Sequence, residues 1–465
     1  MNVLFVATYK GHKYRKGKPA VSSFLSNPGI SSIASVLKQA GHKVRLLVVC
    51  GNTPSAVIDQ TVTEFKPKLV GFTSVYSEYD FVKQIAQEIR RKWPELSLIA
   101  GGVHVTLNPD KTIKDSWDAI CVGEGEYPML DLVNRLEAEE PWNNIDNLWC
   151  KTDAGIKRNK SRPFIEDLST LPYPDREMWE PWVKPKPKQA TILLGRGCPF
   201  QCTYCCNHAL RKLAPGKYVR IRSAEHVLGE VTDLLKKYPF LESIRFEIET
   251  MGVHSEIVID IAKRLNALNQ TREKPLSFDI NLRIVPRHDF GPLLHALKKA
   301  NFNRVDIGLE SGSESVRKKY LKRNYSNNDV RNATAAIREA GLAVSMYVLV
   351  GIPGERFEDY LETEALLREL QPEGLSSYIV FPYPGTAMYR AAKEQGLISE
   401  TPDFRSERAR PTMDLPTFPA KKIQNAFDWL PYNVYRGHRP RLFLLLWVLY
   451  RKACRWGLFG FEHYG

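Results

Sequence analysis

The sequence is short of several things, and each shortage removes a class of protein. No segment reaches the roughly 20 consecutive apolar residues that a membrane-spanning helix needs. The opening run Met1-Asn-Val-Leu-Phe-Val-Ala7 is too short for a secretory signal and reads as a buried strand, so a cytoplasmic location is expected. Eight cysteines in 465 residues are too few for a disulfide scaffold. There is no short-period repeat and no low-complexity tract, and 43% apolar with 25% charged residues excludes global disorder. No acid–base dyad or activated nucleophile stands out. The formal charge of +14 permits anionic partners, but the basic residues are mostly scattered and no recognition motif accompanies them. Nucleic acid is therefore not expected as a partner.

What is present is alternation. A length of 465 residues accommodates two or three domains. Apolar runs at 3–7, 44–49, 69–73, 96–100 and 119–122 read as strands buried on both faces. Amphipathic stretches separate them: Ile30, Ile33, Ala34 and Leu37 share one helical face, and Gly41 stands where that helix should stop. Residues 1–142 are thus expected to form an α/β domain with a doubly wound, Rossmann-like parallel sheet. Prolines at 163, 172, 174, 181, 185 and 187 mark 143–187 as a linker with little regular structure. A second alternating series fills 188–400, with strands at 191–194, 243–247, 278–282, 304–308, 344–350 and 376–380 and helices such as 224–236 and 329–340. Six such units imply a closed or partial (β/α)6 barrel with its chemistry at the carboxyl ends of the strands. Residues 401–465 read as a mostly helical tail.

The one concentration of cysteine lies directly after the first barrel strand, in Cys198-Pro-Phe-Gln-Cys202-Thr-Tyr-Cys205. Three thiolates so closely spaced let one loop wrap an iron–sulfur cubane and leave its fourth iron open to a small molecule. Spacing alone leaves two alternatives open: zinc, with His208 as a fourth ligand, and chance clustering of small buried thiols.

The match extends beyond the cysteines, and the chain resembles the radical S-adenosylmethionine (SAM) superfamily. Tyr204 before the last cysteine is typical of that loop, where it is expected near adenine. The strand ending Phe246-Glu-Ile-Glu249-Thr250 falls where the family contacts the methionine amino group, which points to Glu249, although the usual glycine or aspartate pair is missing. Asn281-Leu-Arg283 adds Arg283. The stretch Val305-Asp-Ile-Gly-Leu-Glu310-Ser311-Gly-Ser313 is similar to the fourth-strand motif, so Glu310 and Ser311 should face the methionine or ribose. Leu349-Val-Gly351-Ile-Pro353-Gly354-Glu355 is similar to the fifth-strand motif, whose backbone packs on adenine, and Tyr383-Pro-Gly-Thr386 to the end of the sixth unit. The resemblance implies a [4Fe–4S] cluster on Cys198, Cys202 and Cys205, with SAM held by Tyr204, Glu249, Arg283, Glu310, Ser311, Gly351 and Pro353. One-electron cleavage of SAM to a 5′-deoxyadenosyl radical would follow, which needs no acid–base dyad.

The first domain looks like the cobalamin-binding domain of one large subfamily. The residues that carry this are Asn27-Pro28-Gly29-Ile30, Leu69-Val-Gly71-Phe-Thr73-Ser74, Ala100-Gly101-Gly102-Val-His104, Val122-Gly123-Glu124-Gly125-Glu126 and Leu171-Pro-Tyr-Pro-Asp175. Cobalamin contacts are expected from Thr73, Ser74, Gly101, Gly102, His104, Gly123 and Glu124, at strand ends where small residues let the backbone approach a corrin. The Asp-x-His-x-x-Gly motif that supplies a lower cobalt ligand in classical cobalamin proteins is absent around His12, so no such histidine is expected.

The function this implies is a cobalamin-dependent radical methyltransferase acting on an unactivated carbon. Alternatives are an oxidoreductase or cyclase of the same subfamily without methyl transfer, and a non-catalytic corrinoid or iron–sulfur sensor. A methylthiotransferase would need three further cysteines in the first domain, which offers Cys50 and Cys121. Implied partners are a small-molecule, lipid or peptide substrate and a one-electron reductant such as flavodoxin or ferredoxin. Finally, the apolar run Leu442–Tyr450 is bracketed by Arg436, Arg439, Arg441, Arg451, Lys452 and Arg455. Peripheral membrane contact and a helix docked on the barrel with its leucines buried are the two readings of it.

Overall fold

A computed structural model describes residues 1–10, 14–15, 18–19, 27–183, 186–248, 254–398 and 407–455. It divides into two units, Met1–Ala190 with Ala209–Ile221, and Thr191–His208 with Arg222–Gly465.

The first unit is built on five parallel strands: β1 (Asn2–Tyr9), β2 (Lys43–Cys50), β3 (Leu69–Thr73), β4 (Ser97–Gly101) and β5 (Ala119–Cys121). Their order is β2-β1-β3-β4-β5, so the chain reverses direction across the sheet between β1 and β3, the place where such sheets bind ligands. Near-continuous burial of β1 shows why these runs are apolar rather than alternating. Asn27 caps the first helix, α1 (Pro28–Gln39), accepting the Ile30 N–H at 3.1 Å. Helices α2 (Ser55–Phe65), α3 (Tyr79–Lys92) and α4 (Glu126–Glu137) complete the layers.

Two features of this unit depart from expectation. Within 143–187, Leu148–Thr152 (β6) and Gly155–Arg158 (β7) extend the sheet in antiparallel fashion, so this segment carries more regular structure than its prolines suggest. The prolines begin only after the hairpin has closed. Further along, Trp179 is fully buried and donates to the Ser31 hydroxyl at 2.8 Å, while Trp182 donates to the Leu46 carbonyl at 3.2 Å. The second surprise is residues 209–221, which lie between barrel elements in sequence yet belong to the first unit.

The second unit holds six parallel strands in chain order: β8 (Gln189–Leu193), β9 (Ser243–Glu247), β10 (Ser277–Leu282), β11 (Phe302–Glu310), β12 (Ala343–Val350) and β13 (Gly374–Ile379). Among the described residues β8 and β13 are the two sheet edges, so the barrel is partial. Alternation sorts its two faces. Phe246, Phe278 and Phe302 stand on three neighbouring strands with ring centroids between 5.1 and 5.9 Å apart, fully buried. The other face is charged: Arg245 meets Asp306 at 2.7 Å, and Arg304 meets Asp306 at 3.1 Å.

Helices α5 (Ala224–Lys237), α6 (Ser255–Gln270), α7 (Gly291–Lys299), α8 (Glu314–Lys319), α9 (Asn327–Glu339), α10 (Phe357–Leu370) and α11 (Ala387–Glu394) follow the strands. The tail forms α12 (Ala420–Tyr435) and α13 (Arg441–Arg455). It is part of the same unit: the Tyr360 hydroxyl donates to the Ala426 carbonyl at 3.0 Å and the Tyr435 hydroxyl to the Pro372 carbonyl at 2.7 Å.

Candidate functional site

In the second unit, the loop after β8 carries the three cysteines and is clamped from two sides. The Thr203 hydroxyl donates to the Tyr320 carbonyl at 2.6 Å, and the Met388 N–H on α11 donates to the Thr203 carbonyl at 2.9 Å. Thr386, the last residue of the Tyr-Pro-Gly-Thr motif, caps α11 by accepting the Tyr389 N–H at 3.2 Å. That motif thus buttresses the cysteine loop. Cys198 and Cys202 are buried, and Cys205 is half-buried.

Two of the sulfurs already receive donors. Arg283, its guanidinium 3.7 Å over the Phe200 ring, donates to Cys202 Sγ at 3.1 Å, and Asn207 donates to Cys205 Sγ at 3.5 Å. Hydrogen bonding from the Cys206 side chain, aided by Asn207, pulls the Cys205 thiol down to about 6. A thiolate at neutral pH is the form that ligates metal. Among the described residues no group of three His, Cys, Asp or Glu converges as a single ion requires. The zinc alternative also loses its fourth ligand, because His208 Nε2 accepts the Ala387 N–H at 3.1 Å. Three thiols spread along one loop, two of them held by N–H donors, suit a polynuclear cluster better than one ion.

Next to this loop lies a buried polar cluster. Glu310 ends β11 in a left-handed conformation (φ 62°), where the register against β12 also slips. Its Oε1 accepts from the Tyr204 hydroxyl at 2.9 Å and from Arg323 at 2.8 Å. Arg323 also donates to the Tyr204 oxygen at 2.6 Å and the Gly308 carbonyl at 2.8 Å. Burial works against the charge of Arg323, but Tyr204, Tyr325 and Glu310 around it more than restore it. Burial also drives the Tyr204 phenol far up, so it remains a hydrogen-bond donor. Sequence reading missed Arg323; its one signal is a position 13 residues after Glu310, in a basic run that looks solvated.

Ser311 behaves differently from its expected role. It is fully buried, with its hydroxyl taking the Ser313 N–H at 3.2 Å and 3.3 Å from the Thr363 hydroxyl. The left-handed residue before it breaks the period of two and sends it into the packing. Glu249 lies outside the described residues, but Asn281 grips the chain just before it, accepting the Ile248 N–H at 3.1 Å and donating to the Ile248 carbonyl at 2.5 Å.

The fifth-strand motif is organised by its glutamate. Glu355 Oε2 accepts the N–H groups of Gly351 and Ile352 at 2.8 and 3.1 Å, fixing Gly351 at φ 81° beside the buried Pro353. Glu355 is itself completely buried, and that burial pushes its carboxyl up to about 8.

In the first unit, the expected residues meet at the strand ends. Register places Thr73 opposite Gly101, and the Ser74 N–H donates to the Gly101 carbonyl at 3.1 Å. Gly102 (φ 94°) is required here, since a Cβ would stand 2.7 Å from the Ser74 carbonyl oxygen. The His104 N–H closes the turn onto the Ser74 carbonyl at 3.2 Å, and Gly123 donates to the Thr106 hydroxyl at 3.2 Å. The His104 ring lies 4.6 Å from that of Tyr79 and 5.3 Å from that of Tyr76, and burial pushes its pKa down to about 4. Thr73, Gly101 and Gly102 stay half-buried and Gly123 is exposed, leaving a rim of small residues that a corrin could approach. Ser74 and Glu124 are spent internally. The Ser74 hydroxyl donates to the Val75 carbonyl at 2.8 Å; Glu124 accepts the Ile165 N–H at 2.8 Å and the buried Arg220 at 3.0 Å. The Glu124–Arg220 pair helps tie residues 209–221 to the first unit, together with Arg220 on the Ile165 carbonyl at 2.8 Å and the Phe164 N–H on the Pro215 carbonyl at 3.0 Å.

The comparisons with known proteins agree with this geometry. The model of the radical SAM superfamily matches residues 192–367 and that of the B12 binding domain residues 20–133. The chain therefore carries a radical SAM domain and a B12-binding domain. It is similar to an uncharacterized methyltransferase of Pyrococcus horikoshii, 25% identical over 404 residues that cover 85% of this chain and 84% of that one. An anaerobic magnesium-protoporphyrin IX monomethyl ester cyclase of Rubrivivax gelatinosus is 24% identical, covering 84% and 70%. Among solved structures, the radical SAM methyltransferase TsrM of Kitasatospora setae, with cobalamin and a [4Fe–4S] cluster bound, aligns with a TM-score of 0.70 at 15% identity over 94% of this chain and 89% of that one, which shows a shared fold.

Two outcomes follow for the apo protein. Glu355 is protonated in the folded chain up to about pH 8 but ionises near 4.5 once unfolded. Stability should therefore fall as pH rises from about 4.5 to 8, by on the order of 1–3 kcal/mol after allowance for relaxation, and level off above. Urea titrations at both ends of this window should show that drop in the wild type and not in Glu355→Gln. Replacing Glu124 by alanine strands the buried Arg220 and should cost roughly 2–4 kcal/mol in the first unit's unfolding; Glu124→Gln should cost less.

Proposed function

We propose that this chain is a cobalamin-dependent radical SAM methyltransferase acting on an unactivated carbon. Cys198, Cys202 and Cys205 would hold the [4Fe–4S] cluster. Tyr204, Glu310, Gly351 and Pro353, with Glu249 and Arg283, would hold SAM; Thr73, Gly101, Gly102, His104 and Gly123 would line the cobalamin. When bound, the cluster and SAM supply a carbon radical and the corrinoid carries a methyl group. The observation that carries this reading is the Tyr204–Glu310–Arg323 cluster, which ties the cysteine loop to the end of β11. It holds the loop of the three thiols against the strand end that carries the Glu310 motif.

This chain's own residues bind, orient and exclude water. Arg283 and Asn207 stabilise sulfur charge, Arg323 fixes the Glu310 carboxylate, and Glu355 shapes the backbone at Gly351. His104, packed against two tyrosine rings, would line the corrin, and the Asp-x-His-x-x-Gly motif that supplies a lower cobalt ligand is missing. The Rubrivivax cyclase keeps a second reading alive, a ring closure or oxidation without methyl transfer. Partners in either case are a small-molecule, lipid or peptide substrate and a one-electron reductant such as flavodoxin or ferredoxin. The protein would work in the cytoplasm with peripheral membrane contact through α13, whose exposed apolar residues support that contact.

Replacing Cys198, Cys202 and Cys205 together by alanine should abolish iron binding and 5′-deoxyadenosine formation and leave the chain folded by circular dichroism. A full iron complement in that variant refutes the assignment. With the holoenzyme and SAM deuterated at its methyl group, mass spectrometry of the product distinguishes the two reactions. Label in the product supports methyl transfer, whereas 5′-deoxyadenosine release with an unlabelled product overturns it in favour of the cyclase or oxidase reading.

A further inference from the structure

Helix α13 presents an apolar stripe that nothing among the described residues covers. Leu442, Phe443, Leu446 and Leu449 are 70, 51, 55 and 60% exposed, and they are four of the eight large hydrophobic residues so exposed in the described chain. Their spacing of i, i+1, i+4 and i+7 puts them on one face at 3.6 residues per turn. The opposite face is already used. Leu444 and Val448 are buried, and Arg451 turns inward, donating to the Ser377 hydroxyl at 2.8 Å with its guanidinium 3.9 Å over Phe427. The helix is thus apolar all round, docked on one side and exposed on the other.

We infer that this stripe seats the protein on an anionic lipid bilayer, with α13 lying in the plane of the interface. The inference rests on the peripheral contact proposed above and names its surface and the charge of its lipid. Charge chooses the occupant. From Trp429 to Phe461 the sequence has six arginines and lysines and no aspartate or glutamate. Arg436 and Arg441 are exposed at the start of α13, and half-buried Lys452 stands near its end, 5.2 Å from the Trp429 ring centroid. A second copy packed stripe to stripe would bring like charges together without an acid between them. An anionic bilayer supplies both a phase for the leucines and counter-charge for the basic rim. Its 15 residues and its charged ends suit lying in the interface; no helix of the described chain is long and apolar enough to cross a membrane.

Flotation of the full-length holoenzyme with phosphatidylcholine vesicles, with and without phosphatidylglycerol, tests this. The protein should float with the anionic vesicles at low salt, less at high salt, and weakly with neutral ones. The variant Leu442→Ser, Leu446→Ser, Leu449→Ser alters only exposed side chains, so it should keep its fold and iron, and its partition should fall at least about tenfold. Leu361→Ser, at an exposed leucine on α10, should change nothing. If the triple variant floats like the wild type, peripheral contact survives and this assignment of its surface is wrong. If the wild type never floats, both are wrong. A wild type that stays down while the triple variant shifts from dimer to monomer on gel filtration overturns the inference in favour of a second copy. Flotation of a chain ending at Arg455 but not of the full chain overturns it in favour of cover by residues 456–465.

Discussion

A guanidinium taken out of water has to be compensated by polar partners, and the Arg323 guanidinium finds them by gathering the parts of a site. Its partners come from three stretches far apart in sequence: Tyr204 beside the last cysteine, Glu310 and Gly308 at the end of β11, and Tyr325 just beyond itself. A buried ion pair of this kind contributes little net stability, because desolvation offsets most of its Coulomb energy. Its value is geometric. The unpaired alternative is so costly that the loop and the strand end cannot drift apart without penalty. It also holds Glu310 in a left-handed backbone conformation, worth about 1–3 kcal/mol of strain, which the bonds from Tyr204 and Arg323 sustain.

The same logic, polar groups spent on backbone, runs through both units. Glu355 closes the turn at Gly351 by taking two N–H groups, Asn281 grips both polar groups of Ile248, and Thr386 caps the helix that in turn holds Thr203. In the first unit the Ser74 carbonyl and N–H lock the turns after β3 and β4 to each other. Radical chemistry asks the protein for placement and dryness rather than for proton transfer. A site made of rigidified strand ends, with few titrating groups left over, suits that demand.

Much of this was legible in the sequence. Runs such as 3–7 and 69–73 fall on β1 and β3 because strands buried on both faces leave a continuous apolar signature. The motifs stand at strand ends, where α/β folds carry ligand-facing residues. What failed was tertiary. Ser311 looked outward by its place in the motif, but the backbone conformation of Glu310 that turns it inward has no local marker. Arg323 sits in Lys-Lys-Tyr-Leu-Lys-Arg, where three lysines suggest solvent, and only long-range packing buries it. Glu124, expected as a ligand contact, also meets Arg220, 96 residues later, a pairing no local pattern announces. The hairpin β6–β7 was hidden by the proline-rich stretch that follows it.

The tail shows the limit of pattern reading most sharply, because the picture of a docked helix was only half correct. A docked helix should bury its leucines and leave its arginines wet. Instead α13 buries Leu444, Val448 and Arg451 and exposes Leu442, Leu446 and Leu449. An unbroken apolar run cannot reveal which of its faces is used, since every face looks the same. The charged residue decides: Arg451 is drawn in by the face of Phe427 and the hydroxyl of Ser377, and this fixes the helix's rotation about its axis. Once that rotation is set, the leucines on the far side have no protein left to meet among the described residues. Exposed apolar surface of this kind is uncommon on a chain that keeps to water, and it is the cation buried on one side of α13 that leaves it exposed on the other.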